Sequence, residues 1–480
     1  MLAITVPMSN RPLKSFFSSG FQAISVQIFG GAFFYILSVT LSKHDFGILN
    51  WSTAISLFIT TILGFGMDQV VVRRMALSKS SDWAAAAFFL HSLVGVVVSF
   101  GMMMAILALY GSERRTLVML PSIFIVQSLV FVAMPFRQFL NAKERFAPYG
   151  IISLVSNVLK IVFILYLAPQ YKVTLNAVIW LLTATGAAEL LFLLVYVKAK
   201  FKLSFSFKFT AYKKLVRESS AQYLSVLFDS SLSRMDWILL GLISAQMALA
   251  DYSFAFRAYE MMKLPIVVIG AVILPRFARM FASGVNVTYD KRHEIRQFLK
   301  MEIVLAGFII LVANILWTPV VDAFSSGKYG TSNWRVFMIL SLCLPLHFLI
   351  NLFWTLIFSA KKYRYITIAT IATAVLNIAF NLVFIPLLGA EGAAIAFALA
   401  TLVQLLIYAY LTRRKVMSCD LNPLLVTVSI LVAAFAAAYF ATGNVYLRLV
   451  IALGIYLPLV FATKQMGREQ ISILKSYLRR

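Results

Sequence analysis

The chain has 480 residues, of which 61% are hydrophobic and 13% charged, and it carries a formal net charge of +25. A soluble globular domain is nearer half apolar and a quarter charged, so the composition excludes one and sets a polytopic membrane protein in its place. The positive balance fits cytoplasmic loops facing an anionic lipid leaflet. No soluble stretch is long enough to form a basic domain, which argues against nucleic acid as a partner and leaves membrane lipids.

Arg11 and Lys14 precede an apolar run from Phe16 to Leu41. That run is too long for a signal-peptide core and no small-residue cleavage site follows it, so it is expected to be retained as the first span. A ruler of ~20 apolar residues per crossing then gives about fourteen spans in chain order. They are 19–42, 49–71, 83–110, 116–140, 149–169, 175–197, 221–244, 252–275, 300–322, 334–359, 365–388, 391–412, 421–442 and 445–464. The loops test the count, because Lys and Arg gather on alternate sides. One set holds Arg11 and Lys14, then Arg73 and Arg74, then Arg137, Lys143 and Arg145, then seven cations from Lys198 to Arg217. Further along it holds Arg276 to Lys300, Lys361 to Arg364, Arg413 to Lys415 and the tail from Lys464 to Arg480. The opposite loops are nearly bare of cations, so the pattern predicts an even number of spans with both termini cytoplasmic. Trp51, Trp83, Trp317, Trp334 and Trp354 fall near span ends, where an amphipathic ring prefers to sit.

The longer basic loop divides the chain into a six-helix lobe (1–199), a basic cytoplasmic linker (200–220), a second six-helix lobe (221–415) and two extra helices with a basic tail (416–480). The stretch "KFKLSFSFKF" in that loop alternates in polarity and reads as a headgroup clamp or a strand. The two lobes begin alike. "YILSVTLSKHDFGILNWSTAI" then "GFGMDQVVVRRMA" in the first matches "WILLGLISAQMALADYSFAF" then "VILPRFARMFA" in the second: helix, short turn, and a second helix leaving through paired basic residues. An even number of spans separates the copies, so the expected plan is a parallel pseudo-twofold repeat, an all-α bundle with its site at the repeat interface.

Charges inside the spans are the candidate functional residues, since one at mid-bilayer costs ~2.5–3.5 kcal/mol on an insertion scale. At ~1.5 Å rise per residue, Asp236 and Arg234 in span seven lie roughly 12 and 15 Å below the outer boundary. On span eight, Arg257, Glu260 and Lys263 lie roughly 8, 12 and 17 Å down, in the same depth band. Asp229, Ser233 and Asp236 are spaced to share a helix face. Two readings stay open: an ion-pair cluster pinning span seven to span eight, or the lining of a water-filled cavity. Lys160 sits mid-span roughly 17 Å from the inner boundary, too deep to snorkel comfortably. Glu189, among small residues, is a candidate partner for Lys160 or a coupling group. Arg137 reads as snorkelling at the inner interface, Asp68 as a helix-end partner of Arg73, and Asn377 and Asn381 as helix glue. Gln127 and Gln404 read as glue or sugar contacts. His91 and His347 read as packing or helix–helix hydrogen-bonding groups. Pro121, Pro135, Pro265, Pro319, Pro345 and Pro386 mark candidate kinks or helix starts. Cys343 and Cys419 are expected at different depths, which argues against a disulfide. No His/Cys metal cluster, cofactor motif, P-loop or placed nucleophile–base pair is visible, so an enzyme is not expected.

"LSKHDFGILN", "GFGMDQVVVRRMA", "SRMDWILLG" with "ADYSFAFRAYE" and "ILPRFARM", and "LNIAFNLVFIPLLGAEGAAIAFALATLVQ" keep an order and spacing over nearly the whole chain to Arg414. They resemble the Wzx-like polysaccharide flippases of the multidrug/oligosaccharidyl-lipid/polysaccharide (MOP) exporter superfamily. The resemblance implies an isoprenoid-diphosphate-linked oligosaccharide as substrate, carried from the cytoplasmic to the periplasmic leaflet of a bacterial inner membrane for surface-polysaccharide assembly. H+ or Na+ is the coupling ion it brings, and a polysaccharide polymerase complex the candidate partner. On that reading Lys160, Arg234, Arg257 and Lys263 face the anionic headgroup, and Asp229, Asp236, Glu260 and Glu189 couple ions or pair charges. Lipid II flippases carry arginines in the first span, where this chain has Gln22 and Gln27, and drug exporters of the superfamily usually have twelve spans and less basic cavities. These two, and a non-transporting membrane scaffold, are the alternatives.

Overall fold

A computed structural model describes residues 27–77, 83–110, 115–170, 173–201, 209–281, 289–417 and 420–467. The N-terminal cations, Gln22, most of the "KFKLSFSFKF" stretch, Cys419 and the basic tail beyond Gly467 lie outside them.

Apolar content and length make nearly every described segment a helix. The first unit holds α1 (Gln27–Thr40), α2 (Lys43–Gly64), α3 (Met67–Leu77), α4 (Trp83–Tyr110), α5 (Arg115–Ala142), α6 (Phe146–Leu167), α7 (Leu175–Phe201) and α8 (Phe209–Ile243). The second holds α9 (Gln246–Met262), α10 (Leu264–Met280), α11 (Tyr289–Ser325), α12 (Gly330–Leu342), α13 (Leu344–Ser359), α14 (Tyr363–Lys415), α15 (Asn422–Ala441) and α16 (Val445–Ala462). Packing separates them after Gly241, so the long α8 belongs almost wholly to the first unit. Among the described residues ten helical stretches are long and apolar enough to cross a membrane. The 53-residue α14 holds two crossings. With α1, α8 and the α9–α10 pair, the described helices account for about fourteen passages, as the sequence predicts.

Local chemistry sets the boundaries. Ser42 caps α2 by accepting the Asp45 N–H at 3.0 Å. The helix stops at Phe65 (φ 47°) and Gly66 (φ 67°), both left-handed, so the second passage is broken at "GFG" and resumes as α3. Pro265 and Pro345 break two further passages. Each lacks the N–H that would bond four residues back, and the chain substitutes tighter bonds: Lys263 N–H to Glu260 O, and Cys343 N–H to Leu340 O at 3.0 Å. Pro121, Pro135, Pro319 and Pro386 lie within continuous helices, as does Pro458, which the sequence reading passed over. In α14 the reversal falls at Gly389, where φ 56° with ψ −124° is a conformation open only to glycine. Gly392 then lies so close to the Phe384 carbonyl that no Cβ fits.

In the first unit α5 is the central post, packed on α2, α3, α4 and α7. Its Phe131, Phe136 and Phe139 meet Phe88, Leu193 and Leu215. In the second, Ile273 and Phe277 of α10, Phe298 and Leu299 of α11, and Leu352 and Phe353 of α13 form the core. Lipid is as apolar as these side chains, so close packing rather than exclusion from water holds the helices. Small residues accordingly fill the tight contacts: Ala84 to Ala87 in α4, and Ala393, Ala394, Ala396 and Ala400 in α14, are buried. Conversely, α4 shows Val94, Val97, Val98, Met102, Ile106 and Leu109 on its outer surface, the signature of a face turned to lipid.

Candidate functional site

Two charge clusters sit inside apolar helices, one in each unit. In the first, Glu189 of α7 is buried, and its Oε1 accepts from Arg137 Nη2 of α5 at 2.7 Å. The Arg137 guanidinium also lies over the Tyr149 ring of α6 at 5.1 Å. Lys160, further along α6, feels both Glu189 and Arg137 electrostatically. Glu189 therefore bonds Arg137 and not Lys160, and Arg137 is an ion-pair partner instead of a snorkelling group. The reason is reach: a guanidinium near the C-terminal end of α5 meets a buried carboxylate on the adjacent α7 that has no cheaper way to stay charged. Three helices thus converge on two cations and one carboxylate.

In the second unit, Arg257 Nη1 donates to Glu260 Oε2 at 2.8 Å within α9, and both are partly open. Lys263 stands at the α9–α10 break with its ammonium 4.8 Å from the Tyr259 ring centre. Tyr259 is fully buried, and its hydroxyl pairs with His347 Nδ1 of α13 at 2.7 Å. That ring stacks on Phe397 of α14. Here too two cations flank one carboxylate, at the point where Pro265 interrupts the passage. Lys263 and His347 lie within electrostatic reach of each other.

The remaining predicted residues are on α8. Asp236 is fully buried, Asp229 is exposed and Arg234 is half-buried with its guanidinium 5.6 Å from the Trp237 ring. Asp229 and Asp236 share a helix face by spacing yet meet different surroundings along its length. Ser233 Oγ donates to the Asp229 carbonyl at 3.0 Å, a local bond within α8.

The first unit also holds a cavity of ≈ 170 Å³ lined by Thr60, Thr61, Asp68, Gln127 and Val226 among others. Gln127 thus lines this cavity. Asp68 opens the first turn of α3, where the helix dipole favours an acid. The basic pair after it engages α8: Arg74 makes a two-pronged bond to Glu218 at 2.7 and 2.6 Å. That bond, reinforced by Lys214 and Arg73, holds the Glu218 carboxyl below the usual glutamate range. His91 and His347 are helix–helix hydrogen-bonding groups. His91 bonds Tyr212 Oη and the Leu63 carbonyl, and Asn381 Nδ2 bonds Asn377. Cys343 is buried and free.

A bundle of about fourteen helical passages in two units defines a polytopic membrane fold. Solved structures agree. The fold is similar to the "Lipid II flippase MurJ, inward closed conformation" with a TM-score of 0.72 at 16% identity, over 96% of this chain and 100% of that one. It is similar to an inward-facing multidrug resistance MATE family transporter of the MOP superfamily with a TM-score of 0.67 at 15% identity, over 82% and 94%. A MOP superfamily transporter from Pyrococcus furiosus, whose description notes a binding pocket of reversed polarity, gives 0.53 at 13% identity, over 84% and 93%. The fold is the one these solved structures share. Residues 13–281, more than half the chain, match the polysaccharide biosynthesis protein family, and the chain belongs to that family.

Proposed function

We propose that the protein is a flippase that moves an isoprenoid diphosphate bearing an oligosaccharide from the cytoplasmic to the periplasmic leaflet of a bacterial inner membrane, for surface-polysaccharide assembly. The observation that supports this reading is that basic side chains stand beside a carboxylate within apolar helices of both units, Arg137 and Lys160 with Glu189 and Arg257 and Lys263 with Glu260. Basic side chains within apolar helices suit an anionic ligand and disfavour a cationic drug. Headgroup and sugars cannot enter hydrocarbon unaided. The candidate anion-facing cations are Lys160 and Arg234 in the first unit and Arg257 and Lys263 in the second, the candidate sugar contacts are Thr60, Thr61 and Gln127, and the lipid tail stays in the bilayer.

Alternating access is the mechanism this reading takes, with both termini cytoplasmic and with the sequence repeats 1–199 and 221–415, the second beginning in α8, joined by the basic linker. H+ or Na+ at Asp229, Asp236, Glu260 or Glu189 biases the equilibrium only if the ion binds the two states unequally. Family membership and the likeness to a lipid-carrying and a drug-carrying transporter fold support the class. Complementation of a flippase-null strain tests the reading. The wild-type chain restores surface polymer, and Lys160→Ala and Arg234→Ala abolish it while protein levels hold. Normal polymer with both variants removes these residues from the site.

A further inference from the structure

One ionisable group lies deep in the second unit and belongs to neither charge cluster. Glu302, in "LKMEIVLAGF", is 1% exposed on α11. Neither carboxyl oxygen has a hydrogen-bond partner among the described residues. Its helical spacing puts it on the face of Ile295, Phe298 and Leu299, which pack into the core formed with α10, α13 and α14.

Several charged and titratable groups of the neighbouring helices are engaged elsewhere, Arg279 of α10 is exposed, and Tyr408 of α14 is buried in the same core as Leu299 and Ile303. Arg335 of α12 pairs with Glu391, and His347 of α13 with Tyr259. On α16, Arg448 donates to the Thr442 carbonyl and the Tyr456 hydroxyl to Val304 O. Arg276 of α10 pairs with Glu294, while α15 carries no charged residue. Lys300, two residues before Glu302, reaches away to the Lys464 carbonyl at 2.9 Å. An ionised carboxylate without a partner in such a core costs several kcal/mol, so the seat suits the neutral acid. A glutamine or leucine would fill the same space at no risk. An acid there is useful only if it can change its charge.

We propose that Glu302 is a proton-binding site of the second unit, holding its proton while α11 is packed as described and releasing it when that packing opens to water. On release the O–H bond breaks, the electron pair stays on the carboxylate and the proton passes to a water molecule. Protonation thereby favours the closed packing of α11, and deprotonation the open one. The inference names the proton as coupling ion and gives it a site outside the two charge clusters. Its role in transport rests on the flippase reading.

Infrared spectra of the purified full-length protein in lipid nanodiscs test the site without any transport assay. The wild type at neutral pH shows a protonated-carboxyl C=O band that Glu302→Gln lacks, and the band fades as pH rises. Identical acid bands in the two proteins overturn the proposal, as does a band that persists until the protein unfolds. Glutamine mimics the neutral acid in size and charge, so the variant folds and is fixed in the protonated form. In the complemented strain Glu302→Gln loses surface polymer at normal protein level, and full polymer with it overturns the coupling role. If the wild type itself fails to restore polymer while the infrared difference stands, the flippase reading alone has failed.

Discussion

The Arg137–Glu189 pair is the strongest physical commitment in the first unit, and its removal has a calculable cost. The two side chains are 14% and 10% exposed, with nitrogen and oxygen 2.7 Å apart. At an effective dielectric of about 20, two unit charges at that distance attract by about 6 kcal/mol, before desolvation is subtracted. Breaking a buried pair from one side generally costs about 3–5 kcal/mol, because the remaining charge is stranded. Lys160 stays within reach of Glu189 and offsets part of that. Arg137→Met is therefore expected to destabilise the protein by about 2–4 kcal/mol, and Glu189→Gln by less, since Arg137 keeps the Tyr149 ring. The double variant recovers part of the loss. A double-mutant cycle in detergent, followed by intrinsic fluorescence through a denaturant series, should give a coupling of about 2 kcal/mol. Additivity of the two substitutions within about 0.5 kcal/mol would refute the argument.

Other consequences follow from single contacts. Gly389→Ala forces a side chain into a backbone conformation that costs about 1–3 kcal/mol, so the apparent melting temperature should fall; an unchanged melting curve would mean the α14 reversal is built differently. Gly392→Ala is expected to be at least as damaging, because the Phe384 carbonyl occupies the place of its Cβ. Tyr259→Phe removes the bond that this fully buried tyrosine makes to His347 Nδ1 and should cost about 1–3 kcal/mol in the same assay. Glu218 has a folded-state carboxyl held down by Arg74, so its contribution is present above the ordinary glutamate range and lost as pH falls through the depressed value. Acidification should thus destabilise the wild type more than Glu218→Gln. The difference should be small and shrink in high salt, because the pair is solvent-screened.

The spans were legible because hydropathy and basic loops are local signals. Runs such as Trp83–Tyr110 leave no other reading, and Pro265 and Pro345 announce breaks the backbone makes. The pairing of charges was not legible, because it is set by helix neighbours far apart in sequence. Arg137 and Glu189 are 52 residues apart, and depth alone could not tell that α5 and α7 lie side by side while α6 brings Lys160 alongside. The Arg257–Glu260 pair was half visible: its i, i+3 spacing is a local signal, read first as two groups facing span seven. Glu302 was missed for a different reason. It follows Lys300 at the start of an apolar run and reads as the last polar residue before lipid. In fact α11 begins at Tyr289, so that position is already more than three turns into the helix.

The claim at the centre is that these cations within apolar helices serve an anionic lipid-linked sugar. It is tested most directly by reconstituting the full-length protein in vesicles carrying a fluorescent isoprenoid-diphosphate oligosaccharide and following its appearance in the opposite leaflet. The wild type should equilibrate the leaflets faster than protein-free vesicles, and Lys160→Ala should return the rate to that of the lipid alone. Equal rates with and without the wild-type protein, in vesicles where it is folded, would contradict the account.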